Sequence, residues 1–260
     1  MSDYIPRIVV ITIPGNSKRA FANALHKNTD GAVSLVIVQR QPQKTLVQRF
    51  RALIRENSWR NVPKQLWYAF LLRISSSKRK ALEIFRRSSM DNYHDLYIPP
   101  AIEVDSVNSD SVYKKLLDIS PDLIVVWGSG ILKPHIIATA KKVINLHLGL
   151  CPYYRGAIAN QYAVFQGDIS KVGVTIHYVN NHVDAGDIIK TISLPTLDSL
   201  EKSFLVLNDE AFSSYVEIAK DMFHGKDIPS YPQNASLGKN IILKQWTPEM
   251  RYKTAQKMLS

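Results

Sequence analysis

The sequence predicts an α/β fold with a mainly parallel, twisted β-sheet and helices on both faces. Three observations lead to this prediction. Short runs of β-branched apolar residues recur along the chain, segments with helical spacing of apolar residues lie between them, and glycine or proline stands at several junctions. Strands that alternate with helices form parallel sheets through right-handed crossovers. The chain has 260 residues, which is enough for one large core.

The first forty residues are predicted to form one strand–helix–strand unit. Ile8 to Ile13 is an apolar run typical of a strand buried on both faces. Pro14-Gly15-Asn16 ends this run, and Ser17 to His26 then places apolar residues at helical spacing. A second buried strand follows at Val33 to Val38. Such a unit is typical of Rossmann-like folds.

Residues 40–90 interrupt the alternation with a basic helical insert. Three helix-like segments lie in it, at Thr45 to Asn57, Val62 to Ile74 and Lys78 to Arg87. The insert has thirteen Lys and Arg residues but only two Glu, so its net charge of +11 equals that of the whole chain. The remainder of the protein is therefore electrically neutral, and any effect of the excess charge belongs to this segment.

The alternation of strands and helices resumes after the insert. We predict strands at Leu123 to Trp127, Val143 to His147, Gly173 to Val179 and Asp187 to Ile192. We predict helices at Ser109 to Ile119, at Lys133 to Ala140, at Asn160 to Gln166 and from a capping box of Asp198 and Glu201 to Phe223.

The last 35 residues are predicted to be mostly loop, with one strand at Asn240 to Lys244. We therefore expect a main domain over residues 1–225 and a short, β-containing C-terminal tail over residues 226–260. The single cysteine, Cys151, excludes an internal disulfide framework and a Cys-rich zinc site. No apolar run approaches the ~18 residues that a membrane span needs, and no signal peptide is recognisable. These observations favour a cytoplasmic protein.

Most of the chemical information lies between residues 145 and 187. Asn145 and His147 end a predicted strand, and their spacing of two places both side chains on one side of it. An amide and an imidazole at a strand end suit acyl chemistry, since both can stabilise an oxyanion and the imidazole can also move a proton. Asp184 lies in a turn with Gly186, where a carboxylate can orient the imidazole and raise its pKa. His177, in mid-strand, is interpreted as structural.

No enzyme nucleophile stands out in the sequence. There is no G-x-S-x-G motif, and Cys151 has no base adjacent to it in sequence. The pattern therefore favours direct transfer between two bound substrates over a covalent intermediate.

The motifs of this region resemble those of the formyltransferase family that uses 10-formyltetrahydrofolate. The family's order of motifs is followed by Asn145-Leu146-His147, Cys151-Pro152, Tyr154-Arg155-Gly156, Gly173-Val174-Thr175 and Val183-Asp184-Ala185-Gly186-Asp187. The resemblance is specific over about residues 120–192, and residues 1–40 follow it in topology only.

The resemblance implies a catalytic domain over residues 1–225 with Asn145, His147 and Asp184 as the catalytic residues. It also implies 10-formyltetrahydrofolate as formyl donor and no metal. The residues implied for the folate are Trp127, Gly128, Ser129, Gly130, Ile131, Leu132, Asn180 and Val183, with Trp127 either a core residue or a wall of the pocket. The chain departs from the family at Gly149, where Ser is frequent, and at Cys151, where Leu precedes the proline. The family would suggest a cis peptide before Pro152.

The family serves several acceptors, and the motifs most resemble its nucleotide-sugar N-formyltransferases. These formylate a 3- or 4-amino dideoxy sugar for O-antigen (lipopolysaccharide) or capsule-type polysaccharides and are commonly dimers. By this resemblance Tyr153, Tyr154, Arg155 and Gln161 would contact the nucleotide-diphosphate amino sugar. One alternative is a methionyl-tRNA-type enzyme without the C-terminal barrel, which chain length disfavours because 73 residues follow Asp187. The other alternative is a non-catalytic binding module on the same fold.

The basic insert keeps three interpretations. It is a solvated helical excursion, a surface that contacts anionic lipid or a membrane-bound partner enzyme, or a binding surface for the acceptor or RNA. Nucleic acid is the disfavoured partner, because the missing barrel argues against tRNA.

Overall fold

The computed structural model describes residues 7–42, 45–56 and 59–259. Residues 1–6, 43, 44, 57, 58 and 260 lie outside these ranges. Asn57, the predicted end of the first insert helix, is one of them. The strands are β1 (Ile8–Thr12), β2 (Val33–Gln39), β3 (Ala101–Val104), β4 (Leu123–Trp127), β5 (Lys142–His147), β6 (Tyr154–Gly156), β7 (Gly173–Tyr178), β8 (Ile188–Ser193) and β9 (Lys239–Ile241).

The main sheet has seven strands in the order β3-β2-β1-β4-β5-β7-β8. The five neighbouring strands β3, β2, β1, β4 and β5 are mutually parallel. Strand β7 runs antiparallel to β5, and β8 runs antiparallel to β7. Strand β1 lies between β2 and β4, so the connections diverge to both sides of it, as in doubly wound folds. The predicted mainly parallel, Rossmann-like fold is confirmed.

The α-helices in the described residues are α1 (Asn16–Asn28), α2 (Leu46–Glu56), α3 (Val62–Ile74), α4 (Ser76–Glu83), α5 (Asp110–Ile119), α6 (Pro134–Ile137), α7 (Ala159–Gln166), α8 (Leu200–Phe223) and α9 (Pro248–Leu259). They cover both faces of the sheet. Phe21 of α1 and Tyr215 of α8 belong to the larger core on one face, and Leu116 of α5 and Ile136 of α6 belong to the core on the other. None of these helices is long and apolar enough to cross a membrane.

The described part of the insert forms three α-helices, as predicted, and α3 has the predicted bounds. The third segment differs, because α4 starts at Ser76, where the side chain of Ser75 caps it, and ends at Glu83. A short 3-10 turn, Ile84–Arg86, follows it. Phe85 of this turn is buried and packs edge-on against Phe204 of α8, with ring centroids 4.9 Å apart, so apolar contact anchors the end of the insert to the main domain.

The structure also differs from other sequence expectations. Strand β3 was not predicted, because its alternating half-buried pattern at the sheet edge gives a weak signal. The cap of α8 is Ser199 rather than Asp198, whose carboxylate instead accepts from Lys202 Nζ at 3.0 Å. The predicted strand in the tail ends at Ile241, and the loop expected after it contains helix α9.

Candidate active site

Asn145 and His147 lie at the carboxyl end of β5, in the interior of the sheet. Asn145 pairs with Val126 of β4 in the parallel ladder. Ile144 and Leu146 belong to the larger core, so the alternation of side chains places Asn145 and His147 together on the opposite face. The carboxyl ends of parallel strands are where open α/β sheets bind ligands.

Asp184 reaches this strand end from the turn between β7 and β8. Its φ of 47° is left-handed, and Gly186 allows the chain to return closely, since a Cβ there would lie 1.8 Å from the carbonyl oxygen of Tyr178. Carboxylate Oδ2 lies 3.3 Å from His147 Nδ1, and Asn145 Nδ2 donates to Oδ1 at 3.3 Å. The structure thus brings the three residues of the predicted triplet into contact.

A fourth side chain, His177, completes this polar cluster. It lies opposite Asn145 in the antiparallel β5–β7 pair, and its Nε2 is 3.4 Å from Asp184 Oδ1. The interpretation of His177 as purely structural is therefore incomplete. The missed signal was the antiparallel register, because a residue directly across from Asn145 must lie beside it.

The hydrogen-bond pattern fixes the roles of the atoms in the cluster. His177 Nδ1 donates to the carbonyl oxygen of Tyr178 at 2.7 Å, so in the neutral ring its Nε2 accepts, from Asn145 Nδ2 at 3.2 Å. The same Nδ2 donates to Asp184. Both hydrogens of the Asn145 amide are thus engaged, and one of them must change partner to bind a developing oxyanion.

His147 is almost enclosed, with 7% of its side chain exposed. Burial lowers its pKa below the ordinary histidine value, although Asp184 acts in the opposite direction. Its Nε2 faces the carbonyl oxygen of Tyr154 at 3.3 Å. Both ring nitrogens face acceptors. The neutral ring can donate to only one of them, whereas the protonated ring can donate to both.

The Asp184 carboxylate is held in its ionised form. Burial alone would raise its pKa, but His147, His177 and the backbone N–H of Gly156 together hold the pKa well below the usual range. That N–H donates to Oδ2 at 2.9 Å. The buried carboxylate therefore carries a negative charge in the resting site, directly beside the imidazole.

The loop over residues 150–157 covers the cluster. The peptide bond between Cys151 and Pro152 is cis, as the family resemblance suggested. Thr175 holds the start of the loop, since its hydroxyl accepts from the Cys151 N–H at 2.9 Å and donates to the Gly149 carbonyl at 2.8 Å. Burial raises the pKa of the Cys151 thiol to about 12, so it stays protonated and is a poor nucleophile.

Gly149 departs from the family pattern, and close contacts around it explain why this chain has no side chain there. A Cβ at this position would lie 2.3 Å from His147 Nε2, 2.4 Å from the Cβ of Ala159 and 2.9 Å from the carbonyl oxygen of Tyr154. No side chain fits unless the imidazole or the loop moves. The glycine therefore allows the loop to lie directly against the imidazole.

The residues predicted for the acceptor fall into two environments. Tyr154 is buried, and its hydroxyl bonds to Asp168, so it reaches the cluster through its carbonyl rather than its ring. Tyr153 is exposed, and a surface cavity of about 140 Å³ is lined by Tyr153, Tyr154, Asp168, Lys171, Leu237, Gly238 and Lys239. Arg155 and Gln161 are half-buried on either side of the start of α7. Their contacts with an acceptor stay predictions.

The residues predicted to bind the folate also lie in different environments. The Trp127 side chain is a core residue, packed on Phe21 at a centroid distance of 5.6 Å on the face opposite Asn145. In the loop after β4, the Gly130 N–H donates to Gln39 Oε1 at 2.7 Å. Gly128 and Ile131 are exposed, Ser129 is half-buried and Leu132 is buried. Asn180 and Val183 lie in the turn that carries Asp184, and Asn180 Nδ2 donates to the Ala185 carbonyl at 3.2 Å.

The C-terminal segment is part of the site, which the sequence did not reveal. Strand β9 pairs in parallel with β6 of the covering loop, and the Lys239 N–H donates to the Tyr153 carbonyl at 2.9 Å. Gln233 Nε2 donates to the carbonyl oxygens of Asp184 at 3.0 Å and Gly186 at 2.6 Å. The segment therefore holds both the covering loop and the turn that carries the carboxylate.

In the parts of the chain that the structure describes, no group of three or more His, Cys, Asp or Glu side chains is arranged to hold a metal ion. The cluster has instead the elements of an acyl-transfer site, with an amide donor, an imidazole and an ionised carboxylate in contact at a strand end.

A family model described as formyl transferase matches residues 7–213. Among curated proteins, the methionyl-tRNA formyltransferase of Limosilactobacillus fermentum is 40% identical over 106 residues, which are 39% of this chain and 33% of that protein. The chain thus matches about a third of the length of that relative.

Two solved structures extend the comparison over nearly the whole chain. A sugar N-formyltransferase from Shewanella sp. FDAARGOS_354 superposes with a TM-score of 0.57 at 14% identity, covering 98% of this chain and 88% of that one. WlaRD, a sugar 3N-formyl transferase solved in the presence of dTDP and 5-N-formyl-THF, superposes with a TM-score of 0.59 at 13% identity, covering 96% and 78%. At these identities the likeness concerns the fold.

Proposed function

The chain belongs to the formyl transferase family, and from that membership we propose that it transfers a formyl group from 10-formyltetrahydrofolate to an amine. The observation that carries the proposal is the contact of Asp184 with both His147 and Asn145 at the end of β5. The donor is a second substrate, which supplies an activated formyl carbon. The site suits it, because a formyl oxygen needs hydrogen-bond donors and an amide and an imidazole stand side by side there.

The proposed reaction is a direct attack of the neutral amine on the formyl carbon. Asn145 Nδ2 exchanges its bond to Asp184 or His177 for one to the formyl oxygen, where negative charge develops. His147, once protonated, stabilises the same charge, and the Asp184 carboxylate stabilises the imidazolium. Asp184, directly or through water, takes the proton that the amine loses. As the tetrahedral intermediate collapses, the bond between the formyl carbon and N10 of the folate breaks, and the leaving N10 takes the proton of the His147 imidazolium. The proton on Asp184 then passes to His147 across their 3.3 Å contact, so both groups return to their starting states. The protonated thiol of Cys151 takes no covalent part.

For the acceptor we propose a nucleotide-linked amino sugar. Sugar N-formyltransferases match the fold over 96% or more of this chain, and one of them was solved with dTDP. The exposed ring of Tyr153 and the ammonium of Lys171, 5.3 Å from its centroid, lie beside the covering loop and suit a sugar and a diphosphate. The product would be a formamido sugar nucleotide, a building block of O-antigen or capsule-type polysaccharide.

A second candidate acceptor is aminoacyl-tRNA. The sequence identity to a methionyl-tRNA formyltransferase, 40% over 106 residues, supports it, and so does the net charge of +11 in residues 40–90. A phosphate backbone binds such a segment with strong salt dependence.

An acceptor screen by mass spectrometry tests the proposal. The full chain and 10-formyltetrahydrofolate are incubated with uridine-, thymidine- and guanosine-diphosphate 3- or 4-amino sugars, and with charged initiator tRNA in a separate reaction. We expect one sugar to gain a formyl group in place of a hydrogen, and a His147→Gln protein to form none. Formylation of tRNA alone would favour the second candidate and contradict the first.

A further inference from the structure

Helix α3 of the insert carries apolar side chains on the face that points away from the protein. Its inner face is packed, with Gln65 and Leu72 buried and Tyr68 against Tyr252 of α9 at 5.3 Å. The outer residues Pro63, Leu66, Trp67, Phe70 and Ile74 are all exposed and follow helical spacing, so they form one stripe opposite the packed side. We call these five residues, together with Trp59 in the turn before the helix, the α3 stripe.

The α3 stripe exposes large side chains that a solvated helix would not carry. Trp59 is 75% exposed, Trp67 58% and Phe70 51%, and the rings of Trp67 and Phe70 stack on each other at 5.8 Å. Contiguous exposed apolar surface of this kind marks an interaction site. If the insert were only a solvated helical excursion, its positive charge would be explained but its exposed apolar stripe would not.

Basic residues surround the α3 stripe. Arg73 and Lys64 flank it on α3, where the ammonium of Lys64 also pairs with Glu249 at 2.9 Å. The guanidinium of Arg60 lies 5.5 Å from the ring of Trp59. The whole insert carries a net charge of +11. A partner must therefore be anionic as well as able to accept apolar side chains. A second copy of this chain does not fit, because two inserts of the same positive charge would repel each other.

We propose that the α3 stripe binds the surface of a membrane that contains anionic lipid. Tryptophan, phenylalanine and aliphatic residues on one face of a helix, with Lys and Arg beside them, are the composition of helices that lie in a membrane interface. The aliphatic members Leu66 and Ile74 distinguish lipid from RNA, because they neither stack on bases nor bond to phosphate. The inference does not depend on which acceptor the enzyme uses.

Vesicle co-sedimentation of the full chain tests this inference. Vesicles of phosphatidylcholine alone are compared with vesicles that also contain about 30% phosphatidylglycerol. We expect binding to the anionic vesicles only, weakened by added salt. In a Trp67→Ser/Phe70→Ser protein, the apparent affinity should fall by about tenfold or more.

A matched control and a spectroscopic readout make the result specific. Leu96→Ser/Ile98→Ser removes two exposed apolar side chains outside the insert and should bind vesicles as the wild type does. Brominated lipid should quench the fluorescence of the wild type, and much less that of a Trp59→Phe/Trp67→Phe protein, although Trp127 and Trp246 remain.

Three results would overturn the inference. The first is the absence of binding to anionic vesicles, and the second is binding that the stripe variants do not change. The third is binding of a single-stranded RNA, but not of vesicles, that the Trp67→Ser/Phe70→Ser change abolishes, which would assign the stripe to nucleic acid. Circular dichroism of each variant establishes that the change acts on a folded protein.

Discussion

Oδ2 of Asp184 lies 3.3 Å from Nδ1 of His147, although His147 ends strand β5 and Asp184 lies in the turn between β7 and β8. The contact depends on a left-handed residue, φ 47° at Asp184 itself, and on a glycine two positions later. Together they turn the chain back so that a carboxylate after β7 meets an imidazole at the end of β5. The proposed chemistry depends on this relationship, and so do the predictions that follow.

Replacing the carboxylate should abolish most of the activity while the fold is kept. In Asp184→Asn the amide retains the size of the side chain but neither carries the charge nor accepts the amine proton. We expect kcat to fall on the order of 10²-fold or more. Asp198→Asn, which changes an exposed carboxylate that pairs with Lys202, should keep the wild-type rate. Comparable rates in the two variants would contradict the role of Asp184.

The buried imidazole should make stability depend on pH. Burial lowers the pKa of His147 in the folded protein, so the unfolded chain binds this proton more readily, from about pH 6.5 downward. Its contribution to stability is therefore complete above that pH and decreases as the pH falls toward the folded-state pKa. We expect the free energy of unfolding in urea to decrease from about pH 7.5 to about pH 5, and to decrease less in His147→Gln. Equal decreases would exclude this linkage.

Gly149 should tolerate no side chain. A Cβ would meet His147, Ala159 and the Tyr154 carbonyl at 2.9 Å or less, so Gly149→Ala should displace the imidazole and reduce both stability, by about 1–3 kcal/mol, and activity. Gly225→Ala is the matched control, since its φ of +76° costs stability but nothing lies within 4 Å of the added carbon. Only the first variant should lose kcat at a temperature where both are folded, and equal loss would disprove the steric account.

Gln233 should matter although it is remote in sequence from the cluster. Its amide donates to the carbonyls of Asp184 and Gly186, so Gln233→Ala frees the turn that carries the carboxylate. We expect a several-fold lower kcat with little change in the thermal midpoint, measured by steady-state assay and thermal melting. The exposed Gln166→Ala should behave as wild type. If the Gln233 variant kept full kcat, the segment would be a passive cover.

Tyr215 should be a stability residue beneath the site. Its buried hydroxyl accepts from the Val126 N–H at 3.0 Å and lies 3.0 Å from the Ile144 carbonyl. It thus joins α8 to β4 and to β5, the strand that carries Asn145 and His147. Tyr215→Phe removes the hydroxyl to which these backbone groups bond, which should cost about 1–3 kcal/mol in urea unfolding. Tyr113→Phe serves as control. A loss below the error of the measurement would show that water replaces the hydroxyl.

Much of the sheet and the triplet could be predicted because their signals are local. β1 and β4 are mostly apolar and rich in β-branched residues, which is typical of parallel strands buried on both faces. Asn145 and His147 are two residues apart on one strand, so period-two geometry places them together without any tertiary information.

The other parts of the fold and of the site depend on contacts between residues distant in sequence, which no local sequence pattern indicates. His177 enters the cluster through strand pairing, and Gln233 enters it through a tail that folds back over 49 positions to Asp184. Strand β3 is an edge strand with half-exposed residues. Helix α9 buries only a few side chains, among them Ala255 and Met258, against other helices of the same chain, so its apolar periodicity is faint.

The most direct test follows an isotope-labelled formyl group from 10-formyltetrahydrofolate in a single turnover with the acceptor found by the screen. Mass spectrometry of quenched samples should find the label on the donor and then on the amine of the acceptor. It should find no labelled protein at any time, and His147→Gln and Asp184→Asn should transfer it on the order of 10²-fold more slowly or worse. A labelled adduct on Cys151, or wild-type rates in both variants, would contradict direct transfer by this cluster.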